Sequence, residues 1–220
     1  MQVLDKGFVE LVDSYGSDLT VVNAARVSFG KETADFGERE EKLITYLAKN
    51  RHSSPFRQCC MTFRMKMPIF VMRQFVRHRI GVEINEASGR YMELPSDWYT
   101  PSPEFRAQSA NNKQGSDGVL AEDLQKRFLN YYREFHKAAF ALYKEYLAAG
   151  MAKEQARMVL PLSVYTEIFV TMSLEAMAHF CHLRKDPHAQ WEIRQYANAI
   201  ESFAIERYPI SFAALMEFHK

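Results

Sequence analysis

Leu124, Phe128, Tyr131, Phe135, Ala139, Leu142 and Tyr146 step by three or four residues, and this run constrains the fold more than any other feature. Such spacing lays one apolar stripe along a long amphipathic helix, which Gly150 is placed to end. A second pattern is different in kind. Met61, Phe63, Met65 and Met67 alternate with Thr62, Arg64 and Lys66, the period of a half-buried strand. Residues 8–12 and 168–171 carry further strand signals, the first closed by Gly16. Asp18 is expected to cap a helix through Ala24 and Ala25 that Gly30 terminates. Glu38, Glu40 and Glu41 precede Leu43, Ile44 and Leu47, and Lys49 and Arg51 follow, so both ends of that helix suit its dipole. Pro68 opens a helix expected to reach Arg77, Ser173 caps one to about Arg184, and Asp186-Pro187 starts another. Strands are few and do not alternate regularly with helices. The class is α+β, a helix-rich single domain over residues 1–220 with a small, mostly antiparallel sheet. Residues 95–118, rich in Pro, Ser, Asn and Gly, are expected to form a surface excursion.

Composition removes several classes. Hydrophobic residues at 47% and charged residues at 25% belong to a globular protein and exclude disorder. No apolar run approaches the ~18 residues of a membrane span, and residues 1–7 offer no apolar signal core. Cys59 and Cys60 are adjacent and Cys181 is distant, which makes neither a disulfide framework nor a C-x-x-C pair; a reducing, cytoplasmic setting is expected. Lys and Arg total 28 against 27 Asp and Glu, so nothing steers the whole molecule to nucleic acid or membrane. A basic site must be local.

The densest chemical signal lies between Arg73 and Tyr91, where Arg73, Arg77, His78, Arg79 and Arg90 accompany Asn85, Glu86, Ser88 and Gly89. On a continuous helix Arg73 and Arg77 share a face. Guanidinium groups match phosphate oxygens bidentately, and Gly89 permits close backbone approach to a ligand. The competing reading is a solvated basic turn paired to Glu83 and Glu86. No G-x-G-x-x-G or P-loop pattern occurs, so a nucleotide here is not held by either device. His179, Cys181, His182 and His188 form a second cluster, read either as a metal site or as core and cofactor-contact side chains; the spacing fits no standard zinc signature and no metal is assigned. The cysteines read as packing residues rather than nucleophiles.

Arg77-His78-Arg79 followed by Asn85-Glu86-Ala87-Ser88-Gly89-Arg90-Tyr91 resembles the signature of the flavin-dependent thymidylate synthases, R-H-R-x-x-S-x-N-E-x-S-x-R-Y. Matching segments run along nearly the whole chain: residues 5–11, 24–28, 52–56 and 157–161, then Leu183-Arg184 through His188-Ala189-Gln190-Trp191-Glu192. Two departures stand out. Eight residues separate Arg79 from Ser88 where the family has seven, and Ser173-Leu174-Glu175 stands where members often carry Asn-x-Arg. The resemblance implies an FAD enzyme that methylates dUMP to dTMP. Its carbon would come from 5,10-methylenetetrahydrofolate, releasing tetrahydrofolate, and its reducing equivalents from NADPH or NADH. It also implies a homotetramer with sites built from several subunits. By resemblance, Gln74, Arg77, Glu86, Ser88, Gly89, Arg90, Arg157 and Arg184 hold dUMP, and Arg184 is the catalytic guanidinium beside the uracil ring. Ser54, Arg77, His78, Arg79, Glu86 and His179 touch FAD, and His52 lies near folate and flavin. Two rivals use the same arginines: a non-catalytic nucleotide- or RNA-binding module, and a diverged flavoprotein acting on another pyrimidine nucleotide.

Overall fold

In chain order the computed structural model contains β1 (Gln2–Val3), β2 (Gly7–Tyr15), α1 (Asp18–Arg26), α2 (Glu38–Lys49), β3 (Cys60–Pro68), α3 (Ile69–Phe75), β4 (Val82–Glu86), β5 (Arg106–Gln108) and β6 (Ser116–Val119). There follow α4 (Glu122–Ala148), α5 (Lys153–Ala156), β7 (Tyr165–Ser173), α6 (Leu174–Arg184), α7 (Trp191–Arg207) and α8 (Pro209–Phe218). The structure describes residues 1–101 and 105–218. The α+β expectation holds: an antiparallel sheet of order β1-β2-β3-β7-β4 is embedded among helices.

The methionine alternation decides which way the sheet faces. β3 buries Met61, Phe63, Met65 and Met67 with Ile168, Val170 and Met172 of β7, and residues of α6, α7 and α8 complete that core. Flexible thioethers suit such an irregular sheet-to-helix boundary. The opposite face is polar. Thr62 meets Thr171 (Oγ1–Oγ1 2.9 Å), Arg64 pairs with Glu167 (2.7 Å), and Lys66 pairs with Asp97.

Several local expectations are corrected. Ser17 rather than Asp18 caps α1, its N–H donating to Thr20 Oγ1 (3.0 Å). Asp18 is buried and caps α8 instead, accepting from the N–H groups of Ile210 (3.2 Å) and Ser211 (2.8 Å). The sequence reading missed α8, because a helix apolar on nearly every face has no 3.6-residue periodicity to detect. α3 stops at Phe75, so Arg77 lies beyond the helix and shares no helical face with Arg73. α7 begins at Trp191, not at Asp186-Pro187; the Asp186 carboxylate accepts the His188 N–H (2.7 Å) and closes a turn first. The 95–118 stretch is more than an excursion: Tyr99 is buried with its hydroxyl on Glu192 (3.1 Å), and β5 and β6 form a hairpin. Residues 102–104 of it lie outside the described residues.

The helix α4 ends as expected at Gly150, whose φ is +84°. Its apolar stripe is divided. His136, Ala139, Phe140 and Tyr143 are buried, while Tyr131 and Phe135 are 65% and 58% exposed. Among the described residues no helix is long and apolar enough to cross a membrane.

Candidate active site

Residues from three distant parts of the chain meet where α6 ends. The chain leaves α3, turns through 76–81 and buries His78, while Arg77 and Arg79 on either side stay exposed. Gly81 makes this turn possible. Its φ is +68°, and a Cβ there would stand 2.5 Å from Ser173 Oγ. Arg184, the last residue of α6, donates from Nε–H to His78 Nε2 (2.9 Å) and from Nη2 to the Gln74 carbonyl oxygen (3.4 Å). The Gln74 side chain donates in turn to Gln190 Oε1 (2.5 Å). Burial, then the neighbouring Arg184 charge and His179, push the His78 pKa down to about 4. His78 is therefore a neutral acceptor at physiological pH, with its proton on Nδ1. Partial burial also lowers the pKa of Arg184. His179 stands beside this corner on α6, its ring centroid 5.9 Å from that of His78.

A second corner forms at the far end of β4. Thr166 Oγ1–H donates to Glu86 Oε1 (2.8 Å), so Glu86 is held by β7 rather than by a neighbouring arginine. The Ser88 carbonyl accepts from Tyr91 (3.0 Å) and Met92 (3.1 Å), closing a tight turn around Gly89. A Cβ at Gly89 would lie 3.0 Å from Leu94 Cδ1 and 3.2 Å from Arg157 Cδ, so glycine lets the Arg157 stem pack against this turn. Arg90 pairs with Glu154 of α5 (3.2 Å). The β4–β7 register is unbroken from Val82↔Met172 to Glu86↔Ile168, so the extra residue of this motif puts no bulge into the strand pair. At its other end β4 begins beside Gly81, whose carbonyl accepts the Ser173 N–H (2.9 Å) at the start of α6.

The remaining expected contacts lie at the other end of α6. His52 lines a cavity of about 180 Å³ with Ser53, Phe56, Glu175 and Leu215. Ser54 opens instead onto a neighbouring groove with Tyr15, Asn23 and Gln58. Ser173 Oγ caps α6 by accepting the Ala176 N–H (3.2 Å). Glu175 pairs with Arg57, which lies in a short 3₁₀ turn after Pro55. Sequence reading missed Arg57. The unusual acid at 175 was the available signal, because a carboxylate in the first turn of a packed helix calls for a cation from elsewhere.

The cysteine reading is supported. Cys59 and Cys181 are buried, and burial raises the Cys59 thiol to about 11 and the Cys181 thiol further, the opposite of an activated nucleophile. Among the described residues no three His, Cys, Asp or Glu side chains are grouped to hold a metal. His188 bonds locally to Asp186 (2.8 Å).

A family model described as thymidylate synthase complementing protein matches residues 10–210. A flavin-dependent thymidylate synthase of Thermus thermophilus is 47% identical over 215 residues, spanning 98% of this chain and 77% of the relative. Its counterpart in Kosmotoga olearia is 43% identical over 218 residues, spanning 99% of this chain and 94% of the relative. Among solved structures, the UMP/dUMP methylase PolB from Streptomyces cacaoi bound with 5-Br dUMP superposes with a TM-score of 0.88 at 34% identity, covering 99% of this chain and 98% of that one. The same protein bound with 5-Br UMP superposes with a TM-score of 0.87.

Proposed function

The chain belongs to the flavin-dependent thymidylate synthase family, and on that premise we propose that it methylates dUMP to dTMP with FAD, 5,10-methylenetetrahydrofolate and NADPH or NADH. It is an enzyme of this kind. The observation that carries the substrate reading is the Gly89 turn: a backbone turn stripped of its Cβ, packed on the Arg157 stem and followed by Arg90, is built to receive a phosphate.

The residues present fit a flavin dinucleotide. Arg77 and Arg79 offer exposed guanidiniums to anionic oxygens, and between them His78 is kept neutral by burial. The flavin, when bound, would carry the reducing equivalents of NADPH or NADH. The protein's part is to bind and to polarise. Ser88 Oγ and the Gly89 N–H orient the dUMP phosphate, Arg90 and Arg157 neutralise it, and Gln74 and Glu86 read polar edges of the nucleotide. Arg184 stands where negative charge must develop on the uracil ring before it can attack a one-carbon unit. A guanidinium fixed there stabilises that charge without reorganising. Ser54 and His179 complete the flavin contacts, and His52 faces folate and flavin. No thiol takes part.

Residues 73–91 supply few apolar side chains, too few to enclose a ligand as large as a flavin dinucleotide within a single chain. We therefore propose a homotetramer in which neighbouring copies complete each site. Ile80, Tyr91 and Met158, exposed at 81%, 80% and 78%, border these corners and supply apolar surface for such contacts.

The test is direct. Purified protein is expected to be yellow or to take up added FAD, to show a flavin spectrum that dUMP perturbs, and to form dTMP; sedimentation should give a tetramer. A colourless protein that takes up no FAD favours the binding-module alternative. A second reading, methylation of UMP, draws on the likeness to PolB. Supplying UMP and dUMP in parallel decides it, with turnover on dUMP expected to dominate.

A further inference from the structure

His78 and Arg184 are expected to meet different ligands, the flavin and the pyrimidine, yet they are joined by a hydrogen bond. Arg184 Nε–H points at His78 Nε2 across 2.9 Å. We propose that His78 is the positioning residue for Arg184: its unprotonated Nε2 fixes the Nε edge of the guanidinium so that the opposite edge faces the pyrimidine. This role rests on the reading of Arg184 as the cation beside the uracil ring.

A guanidinium on a long stem is useful in catalysis only if its plane is set in advance. One hydrogen bond leaves the fork free to swing. The second, from Nη2 to the Gln74 carbonyl oxygen at 3.4 Å, sets the plane from a different element, the last turn of α3. Arg184 itself ends α6, so three pieces of chain converge on one side chain.

The chemical nature of the acceptor matters as much as its position. A carboxylate in place of His78 would orient Arg184 equally well, but it would cancel the charge needed for a developing anion. A neutral imidazole orients without neutralising. The surroundings keep it neutral. The ring is 8% exposed and packs edge-on against Phe180 at 5.0 Å, while the charged or titratable groups facing it, Arg184 and His179 from α6, both disfavour a proton on it. With Nε2 accepting, the tautomer is fixed as Nδ1–H.

The alternative is that His78 serves only its own flavin contact, and a double-mutant cycle separates the two. His78→Phe keeps the ring and loses the acceptor; His78→Gln returns an acceptor at the reach of Nε2. In flavin-loaded full-length protein, His78→Phe should slow single-turnover dTMP formation about 10- to 100-fold, the range for losing a hydrogen bond to a charged group. In an Arg184→Ala background the same change should cost less than about twofold. His78→Gln should recover most of the rate. Independently of turnover, ¹⁵N spectra of the imidazole should show an unprotonated Nε2 at pH 7 that shifts in Arg184→Ala, and calorimetry should show dUMP affinity falling together in His78→Phe and Arg184→Ala. Additive rate losses, a Gln variant as slow as Phe, or a protonated Nε2 would each overturn the role. Wild-type protein that binds no dUMP and forms no dTMP would instead remove the functional reading, and this role with it.

Discussion

The two ends of helix α6 both carry an arginine contact, and they use it in opposite ways. At the N-terminal end, Ser173 caps the helix and Glu175 meets Arg57, so every charge has a counter-charge. At the C-terminal end, Arg184 is half-buried and bonds to a neutral imidazole and a backbone carbonyl. The first arrangement is what surface stability alone would select. The second gives up neutralisation, and the desolvation that lowers the Arg184 pKa is a cost that stability does not explain. A cation that is fixed, partly dry and uncancelled is poised for charge that arrives with substrate.

The comparison breaks first at Arg184. Arg184→Ala should reduce single-turnover dTMP formation about 10²–10³-fold with flavin content and melting temperature nearly unchanged, as for loss of a preorganised donor to a developing anion. Arg184→Lys should recover only part, because an ammonium cannot present two parallel donors. Near-normal turnover in a folded, flavin-loaded Ala variant would make Arg184 an ordinary helix-end residue, like its counterpart pair at the other end.

The same corner should dominate the acid side of stability. The His78 pKa is depressed in the fold, from an ordinary value near 6.5 to about 4. Above pH 6.5 both folded and unfolded forms are neutral there and the full stability is present. As pH falls from 6.5 towards 4 the unfolded chain takes up a proton that the fold refuses, and stability is lost, by roughly 3 kcal/mol in all. His136 adds to this in the same direction, since burial lowers its pKa against the opposing pull of the Tyr132 carbonyl bonded to its ring. Urea midpoints measured from pH 8 to 4 should show the loss, and His78→Gln should flatten it. A wild-type profile already flat over that range would mean His78 is not buried neutral.

These contrasts also show what the sequence can reveal. β3, β7 and α6 were legible because alternation, a short apolar run or a cap marks each one locally. The α4 stripe was legible as a stripe but not by its partner: Ala139 turns inward while Tyr131 and Phe135 face out, since apolar spacing does not distinguish a chain's own core from another surface. The motif around Arg77 and Ser88 was visible in the sequence, yet the hydrogen bond joining His78 to Arg184 was not, because the two residues lie 106 positions apart. Arg57 and Glu175 are 118 residues apart, and no local pattern joins them.

A smaller effect is expected from the cysteines. Changing Cys59, Cys60 and Cys181 together to Ala should cost about 1 kcal/mol for each of the two buried positions, read as a lower melting temperature, and leave dTMP formation intact. Normal binding of FAD and dUMP without any dTMP would mean that a thiol takes part in the chemistry.

The smallest effect should come from the neutralised end of α6. Arg57 is half-exposed, so its ion pair with Glu175 is weakened by solvent and salt, and such pairs are worth at most about 1 kcal/mol. Glu175→Gln should change the urea midpoint only slightly, and less still at 1 M salt, where the Debye length shrinks to about 3 Å. Its effect on turnover should be far below that of Arg184→Ala, although the two side chains sit on the same helix. The helix itself is common to both changes. What differs is whether the guanidinium has a counter-charge among the described residues: Arg57 does, so losing its partner changes a contact already shared with water, whereas Arg184 bonds to an imidazole and a carbonyl instead. A loss of turnover in Glu175→Gln comparable to that in Arg184→Ala, in protein that remains folded, would erase the contrast between the two ends and make the whole exposed face of α6 part of the chemistry.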